Sequence, residues 1–223
     1  MNDSIQHPTS AQPRFSIVIS AHDQATDLRQ CLPLLLEQEY EAYEVIVVNE
    51  ASTDETDDVL KSMRARYSHL YTTFIPKDSR YENRQKLGLT LGVKAAKYEW
   101  IVFINAGTFP PSQQWLAQIA DQLGGYELML GYITSKDHSF RLQSFSEVSE
   151  AQEYISNAER RKADGHQGKI LRYLKGKYDF IVVSRDKGHE ALTYFGERLS
   201  WLRLNAQRLK VVSLNLLHGP SKE

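Results

Sequence analysis

Glu44-Val45-Ile46-Val47-Val48-Asn49-Glu50-Ala51-Ser52-Thr53-Asp54-Glu55-Thr56 is the stretch on which the fold turns. Residues 45–48 are branched apolar side chains in unbroken succession. A strand with one wet face alternates, whereas an unbroken apolar run belongs to a strand covered on both faces. Polar residues follow from Asn49 onward. Ser52 stands where a helix cap is needed. Asp54, Glu55, Asp57 and Asp58 fill the first turns of a helix running to about Tyr67, where carboxylates complement unpaired backbone amides.

Outward from this unit the alternation continues. Phe15–Ala21 reads as a buried strand, and Thr26–Glu37 as a helix whose Leu28, Cys31, Leu32, Leu35 and Leu36 keep a 3–4 spacing. Tyr71–Ile75 predicts a third strand and Arg80–Lys97 a third helix. Trp100–Ile104 is a fourth strand, Ser112 caps a helix through about Leu123, and Glu127–Tyr132 is a fifth strand. Such alternation predicts an α/β fold, a mostly parallel sheet flanked by helices. Residues 133–177 are polar and charged, with an amphipathic helix near Glu147–Lys162 that Gly165 and Gly168 break. A strand at Tyr178–Ser184, a helix at Glu197–Arg208 and a strand at Lys210–Leu214 complete the reading. Residues 1–14, polar with two prolines, read as a disordered arm before one domain spanning 15–223.

Bulk properties narrow the function. The 223 residues carry 27 Lys and Arg against 28 Asp and Glu. This balance gives no global pull toward nucleic acid or a membrane surface. One cysteine, Cys31, allows neither an intramolecular disulfide nor a cysteine-based zinc site; its apolar setting makes it a core residue. No apolar run approaches membrane-spanning length, and the N-terminal segment lacks the apolar centre of a signal peptide. The expectation is a cytoplasmic protein whose attachment to the inner face of a membrane, where present, is peripheral. No G-x-G-x-x-G follows the first strand and no G-x-x-x-x-G-K-[ST] occurs, which disfavours dinucleotide oxidoreductases and P-loop phosphotransferases.

Ligands of such sheets bind at the carboxyl ends of the strands. There stand Ser20-Ala21-His22-Asp23-Gln24, then Val48-Asn49-Glu50-Ala51-Ser52-Thr53-Asp54-Glu55-Thr56, then Asn105-Ala106-Gly107-Thr108-Phe109-Pro110 with Trp115-Leu116 beyond. With Leu89-Thr90-Leu91-Gly92-Val93-Lys94-Ala95-Ala96 on the third helix, these segments resemble family 2 glycosyltransferases, which have the GT-A fold. The resemblance is good over 15–132 and weak beyond. It implies a nucleotide-binding half over 15–132 and an acceptor half over 133–223. It also implies a nucleotide-sugar donor, a glycan or lipid-linked acceptor, and a place in bacterial polysaccharide or glycoconjugate synthesis. The nucleotide contacts it implies are Ala21, Asp23, Glu50, Ser52, Asp54 and Asn105.

The chain departs from the family where the chemistry is concentrated. A D-x-D pair ordinarily holds a divalent metal on the diphosphate, but here the slot is Asn105-Ala106-Gly107. Hard divalent ions favour carboxylate oxygens, so no metal cofactor is expected. The acidic pair that opens a late helix reads Glu197-Arg198, and a guanidinium cannot take a proton; Glu197 or Glu190 remains as general base. Arg80, Arg84 and Lys86 are the cations available for the diphosphate, although such residues are more often solvated helix charges. Asp54 can equally be a first-turn helix acid, and Glu50 a solvated loop carboxylate. Tyr132, Tyr154, Tyr173 and Tyr178 can stack on sugars or simply pack. Two functions stay open: metal-independent hexosyl transfer, and a degenerate, non-catalytic domain that binds a nucleotide or a protein partner.

Overall fold

The computed structural model describes residues 12–78, 83–134, 139–163 and 179–195. Among the described residues seven strands form one sheet: β1 (Phe15–Ala21), β2 (Tyr43–Asn49), β3 (Leu70–Phe74), β4 (Trp100–Ile104), β5 (Leu128–Thr134), β6 (Ser139–Phe145) and β7 (Phe180–Ser184). Their spatial order is β3-β2-β1-β4-β7-β5-β6. The first four are mutually parallel. β7 enters between β4 and β5, antiparallel to both, and β6 pairs antiparallel with β5. The expected mostly parallel core is therefore present, with a reversed strand beside it.

Helices α1 (Ala25–Leu36), α2 (Thr56–Arg66), α3 (Arg84–Ala95), α4 (Trp115–Ala120), α5 (Val148–Ala163) and α6 (Gly188–Phe195) cover the two faces. On one face Ile17, Ile19, Val45, Val47, Val102, Ile104, Phe180 and Val182 pack under α1, α2 and α4. On the other, Val18, Ile46, Val48, Ile101, Phe103, Ile181 and Val183 pack under α3, α5 and α6. Each central strand thus buries both of its side-chain rows, which is why its sequence does not alternate. α3 lies especially close: a Cβ on Gly88 would stand 1.9 Å from Ser20 Oγ, and one on Gly92 2.2 Å from a Val18 methyl. Only glycine permits that approach. Because Gly88 meets the end of β1 and Gly92 its middle, the N-terminus of α3 points to the carboxyl edge of the sheet.

Several boundaries differ from those expected. α2 starts at Thr56, and Ser52 does not cap it; Asp54 Oδ1 accepts from Thr56 N at 3.0 Å. α4 starts at Trp115 without a side-chain cap, since Ser112 Oγ makes no hydrogen bond among the described residues. α3 begins at Arg84, capped by Asn83, whose side chain accepts from Lys86 N at 2.9 Å. β6 and α6 were not anticipated. The expected helix at Glu197–Arg208 and strand at Lys210–Leu214 lie outside the described residues, as does the arm up to residue 11. Among the described residues no helix is long and apolar enough to cross a membrane.

Candidate functional site

β2, β1 and β4 lie side by side and run the same way, so the segments after them meet at one edge. Two non-glycine residues there take positive φ, Asp23 at 49° and Ala51 at 57°. These bends bring the two loops face to face. Asp23 N donates to Ser52 Oγ at 3.0 Å, and Asp23 Oδ1 accepts from Thr53 N at 2.6 Å. Asp54 Oδ2 accepts from Ala25 N at 3.0 Å while its other oxygen takes Thr56 N. Asp54 thereby caps the first turns of α1 and α2 together. The third loop joins through Gln24, whose Nε2 donates to Ala106 O at 3.4 Å.

The amide bonds have an electrostatic signature. The Thr53 N–H holds the exposed Asp23 carboxyl below its ordinary range, against a smaller upward push from desolvation. Desolvation is the largest influence on Asp54 and raises its pKa. The Thr56 hydroxyl and the Ala25 and Thr56 amides together outweigh it, so this carboxyl is also lowered. Asn49 Oδ1 accepts from Ser52 N at 2.9 Å; a carbonyl oxygen suffices for that turn, and no charge is required.

Glu50 behaves differently from the loop acids. Its side chain is buried, and Oε1 accepts from Ser20 Oγ at 2.8 Å. His22 Nδ1 lies 2.9 Å from Glu50 O; a carbonyl only accepts, so Nδ1 carries the proton. Ser20 was not among the expected site residues, although it continues the Val18 row toward the α3 face just as Glu50 continues the Ile46 and Val48 row.

After β4 comes Asn105, buried, with its Nδ2 lacking a partner among the described residues. Gly107 has φ 92°, and a Cβ there would lie 3.2 Å from the Asp27 carboxyl carbon. Neither Asn105 nor Gly107 offers a carboxylate; from α1 Asp27 faces this loop, and Cys31 Sγ accepts from Gly107 N at 3.5 Å. Among the described residues no group of three His, Cys, Asp or Glu side chains is placed to hold a metal ion. The donor set does not fit the hard-cation site that the resemblance implies.

The basic candidates divide. Arg84 and Lys86 lie in the first turn of α3, one turn before the contact of Gly88 with Ser20, and no acidic residue shares that turn. Arg84 also donates to Lys77 O at 2.8 Å, tying α3 to the segment after β3. Arg80 lies outside the described residues, as does Glu197. Glu190 is at the wrong end of the sheet. β7 is antiparallel, so its last residue Ser184 pairs with Trp100, the first of β4. Glu190 follows immediately in α6, 3.5 Å from Lys187 Nζ, and is separated from Asn105 by the length of β4. Glu190 is therefore not a base for this edge.

Residues 16–167 match the family described as Glycosyl transferase family 2. The chain belongs to that family. It is 25% identical over 122 residues to Glycosyltransferase AglE of Haloferax volcanii, covering 52% of this chain and 38% of that protein. It is 24% identical over 97 residues to the uncharacterized glycosyltransferase YibD of Escherichia coli, covering 42% and 26%. The chain thus spans well under half the length of these curated relatives. Among solved structures, its fold is similar to the mannosyltransferase PcManGT from Pyrobaculum calidifontis in complex with GDP-Man and Mn2+, with a TM-score of 0.52, 15% identity, and 79% and 46% of the two chains covered. It is likewise similar to glucosyl-3-phosphoglycerate synthase from Mycobacterium tuberculosis in complex with Mn2+, UDP and phosphoglyceric acid, at 0.51 and 15%, covering 85% and 66%. At such identities these likenesses establish the GT-A fold.

Proposed function

We propose that this chain transfers a hexose from a nucleotide-sugar to a glycan or lipid-linked acceptor, and that it holds the donor diphosphate without a divalent metal. The observation that carries the reading is the Asn105-Ala106-Gly107 loop. It sits at the carboxyl end of β4, in reach of the Glu50 and Asp54 loop, and has no carboxylate. In the transfer the acceptor oxygen bonds to the anomeric carbon as the bond from that carbon to the diphosphate oxygen breaks. The electron pair leaves with the diphosphate, and its charge must be stabilised where it develops. Lys86 and Arg84, together with the amide-rich N-terminus of α3, supply positive potential at that edge. Arg80 is proposed to join them. The acceptor proton passes to a carboxylate, for which Glu197 is the sequence candidate. The setting is bacterial polysaccharide or glycoconjugate synthesis at the cytoplasmic face of a membrane.

Calorimetry with UDP and GDP in the presence of chelator tests this. Binding is expected to persist in chelator and to weaken about tenfold or more in Arg84→Ala and Lys86→Ala, the order of a charge-assisted hydrogen bond. A strict requirement for Mn2+ defeats the metal-free reading. Absence of binding to both nucleotides at millimolar concentration defeats the nucleotide reading itself.

A further inference from the structure

The face of the sheet beneath α3 and α5 ends, strand by strand, in polar groups. Val48 leads to Glu50, Val18 to Ser20, Phe103 to Asn105, and Leu130 to Tyr132, which packs against that same face. β7 completes the row. Ile104 pairs with Phe180, the last pair of that register, so Asn105 and Asp179 follow next to each other just beyond it, and Asp179 lies close enough to Tyr132 to act on its phenol. The row therefore runs Glu50, Ser20, Asn105, Asp179, Tyr132 across five adjacent strands.

Asp179 is a partly exposed carboxylate anchored at this edge. Its own amide donates to Gly131 O at 2.7 Å, and its Oδ2 accepts from Ile133 N at 2.7 Å. Burial pushes the neighbouring Tyr132 phenol well above its ordinary range, with Tyr154 and Asp179 adding to the shift. The phenol therefore stays protonated beside the carboxylate. A carboxylate and a neutral phenol, side by side at the rim of an apolar floor, suit neutral hydroxyl-bearing ligands. An ionised carboxylate only accepts, so it pairs with a hydroxyl donor and not with a phosphate oxygen, which brings no proton.

Resting on the nucleotide reading above, we infer that Asp179 binds a hydroxyl of the donor's sugar ring, and so sets which sugar is accepted. Spacing supports the order along the row. From β2, which carries the Glu50 loop, to β7 is three strand-to-strand steps of about 4.8 Å, roughly 14 Å in all. That span is comparable to a nucleoside diphosphate with one sugar attached. With the nucleoside at the β2 and β1 end and the diphosphate near Asn105 and α3, the sugar falls at β7 and β5. A ring hydroxyl can donate to the Asp179 carboxylate and accept from the Tyr132 phenol, a pairing that a phosphate oxygen cannot make.

The test separates sugar from nucleotide by binding alone. Affinities of UDP, GDP, UDP-glucose, UDP-N-acetylglucosamine and GDP-mannose are measured by calorimetry for the native chain, Asp179→Asn and Asp179→Ala. Asp179→Asn keeps a carbonyl oxygen for Ile133 N and so preserves the strand end. The expected result is a loss of about tenfold or more for the best nucleotide-sugar, as for a hydrogen bond to a charged group, with the bare nucleoside diphosphate changed less than about twofold. Equal weakening of sugar and bare nucleotide overturns the inference in favour of a purely structural role. No change in either overturns it too. If the native chain binds nucleotide-sugar no differently from the bare diphosphate, the sugar has no subsite at Asp179. Failure of the native chain to bind any nucleotide is distinguishable from these, and defeats the underlying reading along with this one.

Discussion

Gly88→Ala places one methyl group where α3 touches β1, and its consequence can be worked from the contact itself. The new Cβ would stand 1.9 Å from Ser20 Oγ, 3.1 Å from Ser20 Cβ and 3.6 Å from a Val48 methyl. The Ser20 hydroxyl has to swing away, and it then releases the buried Glu50 carboxylate that it now serves at 2.8 Å. A hydrogen bond to a charged group is worth about 1.5–3 kcal/mol. The residual crowding at Ser20 Cβ adds about 1 kcal/mol or more. The better helix propensity of alanine returns up to about 1 kcal/mol. The expected net loss is about 2–4 kcal/mol, which for a chain of this size lowers Tm by roughly 5–15 °C. Urea unfolding of native, Gly88→Ala, Ser20→Ala and the double variant measures it. In the Ser20→Ala background the obstructing oxygen is gone, so Gly88→Ala should cost little there and the cycle should show coupling of about 2 kcal/mol. Equal cost in both backgrounds, or a cost under about 0.5 kcal/mol in the native chain, refutes the reasoning.

Two further outcomes follow from the loops. Gly107→Asp is expected to destabilise the chain by about 1–3 kcal/mol and to create no stoichiometric Mn2+ site, because φ of 92° and the Asp27 carboxyl oppose the new side chain; thermal unfolding and Mn2+ titration check both. The lowered carboxyls of Asp23 and Asp54 have less proton affinity folded than unfolded. Their stabilisation is complete above the ordinary aspartate value of 3.8 and fades as pH falls below it through the folded values. The protection factors of the Thr53, Ala25 and Thr56 amides, taken against intrinsic exchange at the same pH, should therefore fall below about pH 4, and Asp54→Asn should remove part of that acid sensitivity.

The central strands were legible because burial on both faces leaves runs such as Val45–Val48 and Ile101–Ile104 without a polar break. β6 was not legible for the opposite reason. It is an outer strand with Arg141 and Gln143 exposed on either side of Leu142, and its polar half passes for a loop. The insertion of β7 beside β4 is a matter of strand order, which no local pattern encodes. Glu190 was placed at the wrong end and Asp179 escaped notice for that single cause. That the segments after β1, β2 and β4 meet at one edge could be read from the strand pattern, since parallel strands present their carboxyl ends together. The bonds from Thr53 N to Asp23 and from Ala25 N to Asp54 could not, since each joins residues about thirty apart in sequence that meet only through the bends at Asp23 and Ala51.

Strand order also constrains how this sheet assembles on a growing chain. β4 ends at Ile104 and its outer neighbour begins at Phe180, so residues 105–179, 75 in all, separate the two. At roughly 5–20 residues per second of synthesis, β4 presents an unpaired hydrogen-bonding edge for about 4–15 s. The β5–β6 hairpin is made in that interval but has nowhere to dock, because β7 is the only strand that joins it to β4 among the described residues. The four parallel strands and the hairpin are thus two separate nuclei until residues 180–184 slot between them, and a nascent chain stalled before Phe180 is the form most exposed to pairing with a neighbour.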